Sequence, residues 1–177
     1  MIGMQSASNF TSFEEMWIAA ITHIERIWEK TVAEYRERDG FSSWNSRYVG
    51  LRRTDELLQY VNQARNAEEH TTQSSVTLRP GSLGIRGVNG RLFIKNLTIR
   101  AGVIERLEVG DDTPAEIVID RPKAILSEFI NRGTKFNPPN HHLGKALQKI
   151  DPHSIAGHAL EFYIEYLKQL EEKYHGA

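Results

Sequence analysis

The N-terminal part of the chain places apolar residues at intervals of three and four positions. Between Ser12 and Arg38 the recurring positions are Phe13, Trp17, Ala20, Ile24, Ile27, Thr31 and Tyr35. Because an α-helix has about 3.6 residues per turn, this spacing puts all of them on one face. Ser12 followed by Glu15 also matches the capping box found at helix N-termini. The pattern predicts a long amphipathic helix over residues 12–38, ended by the Gly- and Ser-containing segment 39–46.

Two further stretches show the same helical period. One covers residues 48–70, and its apolar stripe consists of Leu57, Val61 and Ala64, widened by Leu51, Leu58 and Tyr60. The other begins with Asp151, a residue type favoured as N-cap, and Pro152, which suits the first helical position. Its apolar face comprises Ile155, Ala159, Phe162, Tyr166 and Leu170, and Gly176 follows its last turn. We therefore predict a second long helix after the first, and one more helix over 152–175.

Residues 75–120 change to short β-rich runs separated by Gly, Pro, Asn and Asp. Asn89-Gly90 accepts the positive φ angles of a type I′ hairpin turn, and Asp111-Asp112 before Thr113-Pro114 is typical of another turn. Strands are expected over 91–100, 102–109 and 115–120. Because no helical pattern intervenes, we predict an antiparallel meander rather than the βαβ units of a parallel nucleotide-binding sheet.

The segment between these strands and the last helix is less regular. Residues 121–133 suggest a short helix or a turn that ends at Gly133, and residues 134–150 suggest a loop stiffened by Pro138 and Pro139. Together the patterns predict an α+β fold in a single domain, 1–177. Its helical bundle would comprise residues 10–75 and 150–176, its β-rich insertion residues 76–120, and its loop-rich segment residues 121–150.

Composition narrows the class of protein. The 177 residues are 40% apolar and 25% charged, as in ordinary globular proteins, and suffice for a buried core. The lack of cysteine excludes disulfides, thiolate zinc sites and a cysteine nucleophile. The chain has no apolar run long enough for a membrane helix, and its first ten residues lack the basic and apolar regions of a secretory signal. We expect a cytoplasmic protein without a membrane partner.

The net charge of -1 conceals an uneven distribution. Residues 79–149 carry 12 Lys and Arg against 7 Asp and Glu, whereas residues 1–78 carry 8 against 11 and residues 150–177 carry 2 against 5. A basic middle segment between acidic ends can meet a polyanion. Arg and Lys at the solvent-facing positions of strands explain the distribution equally well, so the charge alone does not select a function.

The end of the second predicted helix collects polar side chains. Asn62, Asn66 and His70 are spaced at i, i+4 and i+8 and share one stripe, with Arg65 beside it. One interpretation is a solvated helix face on which Arg65 and Glu69 form an ion pair worth about 0.2–0.5 kcal/mol. The other is phosphodiester cleavage, in which arginine stabilises phosphate charge, histidine transfers a proton and asparagine orients the groups.

The segment RNAEEH, from Arg65 to His70, resembles the R-N-x3-H form of the R-x(4–6)-H motif of HEPN domains. That superfamily includes toxin ribonucleases of toxin–antitoxin and other antiviral systems, and its domains are helical bundles. The resemblance implies metal-independent RNA cleavage by a homodimer, with Arg65 and His70 of two protomers meeting at the interface. It implies that His70 is the general base or acid while a ribose 2′-OH attacks the adjacent phosphate, that Arg65 stabilises the developing charge, and that Asn66 orients the groups. RNA, a second copy and an antitoxin or other protein are the implied partners.

Asn62, Arg132 and Lys135 are the predicted substrate-binding residues beside this catalytic set. The pair His141-His142 could hold a metal or lie near substrate. Adjacent histidines point apart, however, and lack the i, i+4 spacing of helical zinc ligands, so a packing or surface role is favoured. The Gly-rich segment 81–87 leads into a strand, which leaves it without the helix dipole that would hold a phosphate. We therefore expect neither a metal nor a cofactor.

Two other functions fit the same pattern. A catalytically silent HEPN-like module would use the polar cluster as a dimer contact or a nucleotide-binding surface. A structural or assembly protein would make its contacts through the β-rich insertion. The motif at residues 65–70 favours the ribonuclease, because it supplies a cation, an amide and an imidazole within six residues.

Overall fold

The computed structural model describes residues 10–70, 73–87, 92–100, 103–110 and 115–176. These residues form four helices: α1 (Phe10–Tyr35), α2 (Phe41–Thr54), α3 (Glu56–His70) and α4 (Pro152–Tyr174). Small two-stranded sheets lie between α3 and α4 in the sequence. The prediction of an α+β fold, in which a helical bundle carries an inserted β region, is confirmed. None of the described helices combines the length and the apolar content needed to span a membrane.

The described strands are short and pair two by two. They are β1 (Val76–Arg79), β2 (Ser82–Gly87), β3 (Ile94–Arg100), β4 (Val103–Val109), β5 (Ala115–Asp120), β6 (Lys123–Leu126), β7 (Phe129–Asn131), β8 (Thr134–Phe136), β9 (His141–His142) and β10 (Lys145–Ala146). The first six pair in nested order, β1 with β6, β2 with β5 and β3 with β4. The last four form two hairpins, β7 with β8 and β9 with β10.

The chain divides into two compact units. The helical unit contains the described residues of Met1–Leu78 and Ala124–Ala177, and with them all four helices. The ribbon unit contains those of Arg79–Lys123, with the antiparallel β2–β5 and β3–β4 ladders. The predicted turns at Asn89-Gly90 and Asp111-Asp112, and the start of the strand predicted from Arg91, lie outside the described residues.

The first helix differs from the prediction at both ends. It begins at Phe10, so Ser12 lies within its first turn, and the capping box predicted at Ser12 is wrong. It ends at Tyr35, three residues before the predicted end. The predicted break over 39–46 is also too long, because α2 begins at Phe41. Gly40, with a φ of 71°, allows the chain to turn into α2 at this point.

The second predicted helix, over 48–70, is two helices. Asp55 separates α2 from α3 with an extended backbone, φ -77° and ψ 126°. Its carboxylate oxygen Oδ1 accepts the backbone N–H of Leu58 at 3.0 Å, which satisfies one of the free donors at the start of α3. The apolar spacing continues through the break, so periodicity alone did not indicate it. The aspartate before Glu56 was the local sign of a new helix start.

Residues 121–150 are more regular than predicted. In place of a short helix or turn and a loop, they contain the β7–β8 and β9–β10 hairpins and strand β6. Each hairpin turns through two residues with positive φ, Arg132-Gly133 (49° and 77°) and Leu143-Gly144 (48° and 76°). Two successive positive φ angles are typical of type I′ turns, which prefer Asn or Asp before Gly. Arginine and leucine at that position gave the sequence no turn signal.

The predicted apolar faces of the helices form the core. Of the six residues predicted for the apolar stripe of α2 and α3, five are buried and Leu51 is half-buried. The whole predicted face of α4 is buried as well. The start of α4 is also as predicted, because Asp151 accepts the Ser154 N–H at 2.9 Å and Pro152 occupies the first turn. These faces pack against α1 residues that include Trp17, Ile21 and Ile24.

A buried carboxylate joins the four helices at one point. The side chain of Glu25, on α1, is only 3% exposed. Arg52, on α2, donates to both of its oxygens, at 3.2 and 2.6 Å. Asn62 of α3 donates to Oε2 at 2.8 Å, and the Tyr163 hydroxyl of α4 donates to Oε1 at 3.1 Å. A charge in the protein interior is tolerated when it is paired and its lone pairs are hydrogen-bonded, and this carboxylate meets both conditions.

We expect Glu25→Ala to lower the free energy of unfolding by about 3–5 kcal/mol, because Arg52 would keep a charge in the interior without its partner. The control is Glu37→Ala, at the exposed pair of Arg36 and Glu37, which should cost no more than about 0.5 kcal/mol. Urea titrations followed by circular dichroism measure both. Replacing Glu25 and Arg52 together by Leu and Met should recover part of the loss. Equal costs for Glu25→Ala and Glu37→Ala would contradict this role.

Candidate functional site

The predicted polar cluster lies on the C-terminal half of α3. The buried side of this helix carries Leu57, Leu58, Tyr60, Val61, Ala64 and Ala67, so the remaining positions face outward or toward α1. Asn62, Arg65 and Asn66 are half-buried, whereas His70 is exposed at the helix end. The four predicted residues therefore differ in burial along α3.

Arg65 is held by three neighbouring groups. Its Nη2 lies 3.3 Å from Oε1 of Glu29 on α1, and its Nη1 donates to Oδ1 of Asn66 at 3.2 Å. Its Nε lies 3.0 Å from Oε1 of Glu69, an ion pair whose N–H is not aligned as a hydrogen bond. The predicted i, i+4 pair of Arg65 and Glu69 is thus confirmed. The Arg65 side chain is 21% exposed in all, and its Nε is buried.

Asn62 belongs to the buried network around Glu25. Its Nδ2 donates to Glu25, and its Oδ1 accepts from Gln63 at 3.2 Å. It also lines a cavity of about 690 Å³ together with Trp28 of α1 and Arg52 of α2. Both functional atoms of the Asn62 amide have partners within the protein. In this structure the side chain that was predicted to bind substrate holds the helices together.

His70 and Arg65 diverge on a single chain. They are five positions apart, which corresponds to about 140° around a helix with 3.6 residues per turn. The contacts of Arg65 are made with Glu29, Glu69 and Asn66, so they reach α1 and its own helix. A site that uses both Arg65 and His70 on one phosphate therefore needs a second chain to supply one of them.

Arg132 and Lys135 lie on the β7–β8 hairpin. Asn131 fixes this hairpin to α3 by donating from Nδ2 to Oε1 of Gln63 at 2.8 Å. Arg132 occupies the turn and is exposed. Lys135 pairs with Glu128 at 2.7 Å and lines a cavity of about 570 Å³ beside the first turns of α3. At about 1.5 Å of rise per residue, those turns are on the order of 15 Å from His70, so the structure does not bring Lys135 to that histidine.

Glu68 faces the protein rather than a substrate. Its Oε1 accepts the backbone N–H of Ser75 at 2.8 Å and the Ser75 hydroxyl at 2.7 Å. The Ser75 Oγ in turn accepts the indole N–H of Trp17 at 2.8 Å, and Tyr60 donates to the Ser75 carbonyl at 2.9 Å. Burial, and secondarily the charge of Glu68, raise the pKa of Tyr60 well above its usual value. This connection, invisible in the sequence, ties the end of α3 to α1 and to the start of β1.

His141 and His142 pack against the start of α3. The Nδ1 of His142 lies 2.9 Å from Oδ1 of Asp55, and the Leu143 N–H donates to Oδ2 at 2.6 Å. Glu56 accepts the backbone N–H of His141 at 3.1 Å, and its Oε1 lies 3.2 Å from Nδ1 of that histidine. The His142 side chain is thus largely buried against α3, whereas that of His141 is 54% exposed. Among the described residues, no three His, Asp or Glu side chains are grouped so that they could hold a metal ion.

The pKa values of both carboxylates are lowered by this contact. For Asp55, burial alone would raise the pKa, but hydrogen bonds from His142, Leu143 and Leu58 outweigh burial and lower it. For Glu56, the hydrogen bond from the Asn140 N–H is the largest cause, and those from His141 add to it. A lowered pKa in the folded state means that the ionised carboxylate stabilises the fold above its ordinary pKa. That stabilisation is lost as the pH falls.

Protonation should therefore release the segment 140–143 from α3. The ordinary pKa values are 3.8 for Asp55 and 4.5 for Glu56, so we expect the contact to weaken as the pH falls below this range. Amide hydrogen exchange at Leu143, whose N–H donates to Asp55, measures the release directly. Asp55→Asn should speed that exchange at neutral pH and reduce its acid dependence. Asp39→Asn, at an exposed position, is the control and should change neither.

Comparison with known proteins finds no match for this chain. No family model matches the sequence, and no curated protein or solved structure matches it.

Proposed function

We propose that this protein is a HEPN-like, metal-independent endoribonuclease that acts as a homodimer in a toxin–antitoxin or phage-defence setting. The observation that carries the proposal is the placement of Arg65. Its guanidinium is fixed by Glu29, Glu69 and Asn66 in a side chain that is partly exposed, and the exposed His70 ends the same helix. Cleavage of a phosphodiester requires a fixed cation of this kind, together with an imidazole that the second chain would bring to it.

In the proposed reaction a neutral His70 takes the proton from a ribose 2′-OH. The 2′-oxygen bonds to the adjacent phosphorus as the bond from phosphorus to O5′ breaks. His70, now protonated, returns this proton to O5′ through water. The products are a 2′,3′-cyclic phosphate and a 5′-hydroxyl, and Arg65 stabilises the negative charge that develops on the phosphate oxygens. Asn66, in contact with Arg65, orients the guanidinium.

The second chain supplies what one chain lacks. Because Arg65 and His70 diverge by about 140° around α3, the proposed site joins Arg65 of one protomer to His70 of the other. The polar side of α3 is the surface on which the two copies would meet. The exposed position of His70 leaves it accessible to a partner chain.

Glu29 and Glu69 restrain the activity of the free protein in this proposal. Two carboxylates within 3.3 Å neutralise the Arg65 guanidinium and disfavour a second anion. An RNA phosphate must displace the carboxylate of Glu69, which lies on the exposed side of α3. RNA affinity therefore depends on the competition between this carboxylate and a phosphate for the same guanidinium.

The same ion pairs favour a second candidate, a catalytically silent HEPN-like interaction module. If Glu29 and Glu69 keep Arg65 permanently paired, the arginine joins α1 to α3 and the cluster serves as a protein contact. The two candidates predict different results for the same substitutions. In the silent module, changes at Arg65 and His70 weaken association, and the wild-type protein itself has no nuclease activity.

We expect Arg65→Ala and His70→Ala each to reduce cleavage of a pooled RNA at least about 100-fold in the presence of EDTA, because they remove charge stabilisation and proton transfer. His23→Ala, an exposed histidine on α1, is the matched control and should cleave at the wild-type rate. Circular dichroism checks that the fold survives. If the wild-type dimer leaves the RNA intact, the ribonuclease proposal fails. Lost association without any nuclease activity would then support the silent module.

Glu69→Gln should strengthen RNA binding, since it removes one carboxylate from Arg65. The measurement is made in a His70→Ala background, so that the RNA stays intact. One additional phosphate contact should also steepen the salt dependence of binding by about 0.7 in log–log slope. Glu37→Gln, at the exposed Arg36–Glu37 pair, has the same change in charge and should bind as the parent does. Equal effects of both substitutions would show that only net charge matters and would count against a phosphate site at Arg65.

A further inference from the structure

A cavity of about 690 Å³ lies between α1, α2 and α3 of the helical unit. α1 lines it with Trp28 and Val32, which are four positions apart. α2 lines it with a stripe that includes Asn45, Val49 and Arg53, spaced at i, i+4 and i+8, and α3 adds amide side chains. Positions four apart share one face of a helix, so each helix presents a single stripe to the cavity. The volume is that of a site for a small molecule.

The walls of this cavity carry one cation that has no ionic partner among the described residues. The described lining contains two arginines and no Asp or Glu. Arg52 donates from both Nη atoms to the buried carboxylate of Glu25, at 3.2 and 2.6 Å, so its charge is neutralised. Arg53 is exposed, and no ion pair between described residues includes it. The cavity therefore attracts an anion to Arg53.

A second polar group of the lining has an unused hydrogen-bond donor. Asn45 is buried, with only 5% of its surface exposed. Its Oδ1 accepts the Tyr166 hydroxyl at 3.2 Å, but no described group accepts a hydrogen bond from its Nδ2. This Nδ2 is not one of the described side-chain atoms that are fully enclosed without a partner, so it is accessible from the cavity that Asn45 lines. A buried donor without an acceptor costs stability, and an acceptor on a ligand would remove that cost.

Apolar surface separates these two groups. Asn45 and Arg53 are eight positions apart, which corresponds to about 12 Å along α2 at about 1.5 Å of rise per residue. Val49 lies between them on the same stripe, and Trp28 and Val32 of α1 add further apolar surface. A ligand that reaches both polar groups therefore needs an apolar body between a hydrogen-bond acceptor and an anionic end.

We propose that this cavity is the binding site of a small organic anion, whose carboxylate or phosphate group pairs with Arg53. A charge-assisted pair of this kind is stronger than a hydrogen bond between neutral groups. The apolar body of the ligand packs against Val49, Val32 and Trp28. A carbonyl or hydroxyl oxygen at its other end accepts the free N–H of Asn45. The protein thus supplies one contact for the charge, one for the acceptor and an apolar wall between them.

The first test measures binding to the full-length chain. The probes are 4-acetamidobenzoate and 4-acetamidophenyl phosphate, which share a carbonyl at one end and differ in the anionic group at the other. We expect at least one to shift the NMR signal of the Trp28 indole N–H, assigned with Trp28→Phe, with a Kd of about 1 mM or below. The tighter probe identifies the anionic group. The indole N–H of Trp17, buried and bonded to Ser75, is the internal control and should not shift. If neither probe shifts the Trp28 signal at about 10 mM, the proposal is overturned.

The second test separates the contact with Arg53 from the net charge of the protein. Arg53→Gln should weaken the tighter probe at least about fivefold, to the affinity of the neutral amide 4-acetamidobenzamide, because the charge-assisted pair is lost. Arg26→Gln, at an exposed position of α1 outside the cavity, removes the same charge and should leave the Kd within about twofold. Equal losses in the two variants would mean that net charge alone attracts the probe, and the site would be refuted.

The third test changes the space and the donor inside the cavity. Val49→Phe fills part of the volume and should abolish binding of both probes and of the neutral amide. Asn45→Asp keeps an oxygen for the Tyr166 hydroxyl but removes the free N–H, so it should weaken all three compounds, whereas Asn137→Asp, at an exposed position, should not. Circular dichroism and thermal melting check that each variant folds. Unchanged binding in folded Val49→Phe would place the probe elsewhere and contradict the proposal.

This site goes beyond the proposed ribonuclease and does not rest on it. Arg65, Asn66 and His70 do not line the cavity, so Arg65→Ala and His70→Ala should bind the probes as the wild type does. Cleavage of RNA by a chain that binds neither probe overturns this inference and leaves the ribonuclease. Binding of a probe by a chain that leaves RNA intact supports this inference and removes the ribonuclease.

Discussion

The carboxylate of Glu25 is the group on which the packing of the helical unit depends. It is almost completely buried and accepts hydrogen bonds from α2, α3 and α4. The guanidinium of Arg52, which supplies two of these bonds, lies 4.5 Å from the Trp28 ring centroid and so stays beside an aromatic surface. A charge in this position stabilises only one arrangement of the four helices, because any other leaves it unpaired. Apolar faces bring the helices together, and this network fixes how they meet.

The packing of the four helices around Glu25 determines the geometry of the candidate site. Asn62 is one of the donors to Glu25, and one turn further along α3 the side chain of Arg65 reaches Glu29, one turn further along α1. The two parallel contacts hold the polar side of α3 against α1, which fixes the direction of the guanidinium. The same proximity places carboxylates beside the cation, so in the proposed ribonuclease an RNA phosphate would compete with them for Arg65. His70, beyond the last of these contacts, is the member of the motif that stays exposed.

Both ends of α3 hold segments from the β-rich part of the chain. Asp55 and Glu56 bind residues 140–143 at the start of the helix, and Glu68 binds Ser75 near its end. Each contact uses a carboxylate to accept backbone N–H groups that would otherwise lack a partner. The β3–β4 ladder of the ribbon unit is built differently, since two bulges place three aliphatic pairs on one face and leave Ile94, Leu97, Ile99 and Ile104 exposed. A buried core and an exposed aliphatic surface are thus built into separate parts of one sequence.

Local patterns in the sequence predicted the helical faces, the start of α4 at Asp151 and the position of the polar cluster, because each depends on residues within a few positions of one another. They did not predict the Glu25 network, because its other members, Arg52, Asn62 and Tyr163, lie 27, 37 and 138 positions from Glu25 in the sequence. They also did not predict the break at Asp55, the turns at Arg132-Gly133 and Leu143-Gly144, or the bulges in β3 and β4. Each of these depends on which partner a backbone or charged group meets in space. The periodicity of apolar residues predicts which side of a helix is buried. It does not predict the partners of a buried charge, because those are determined only by how the helices pack.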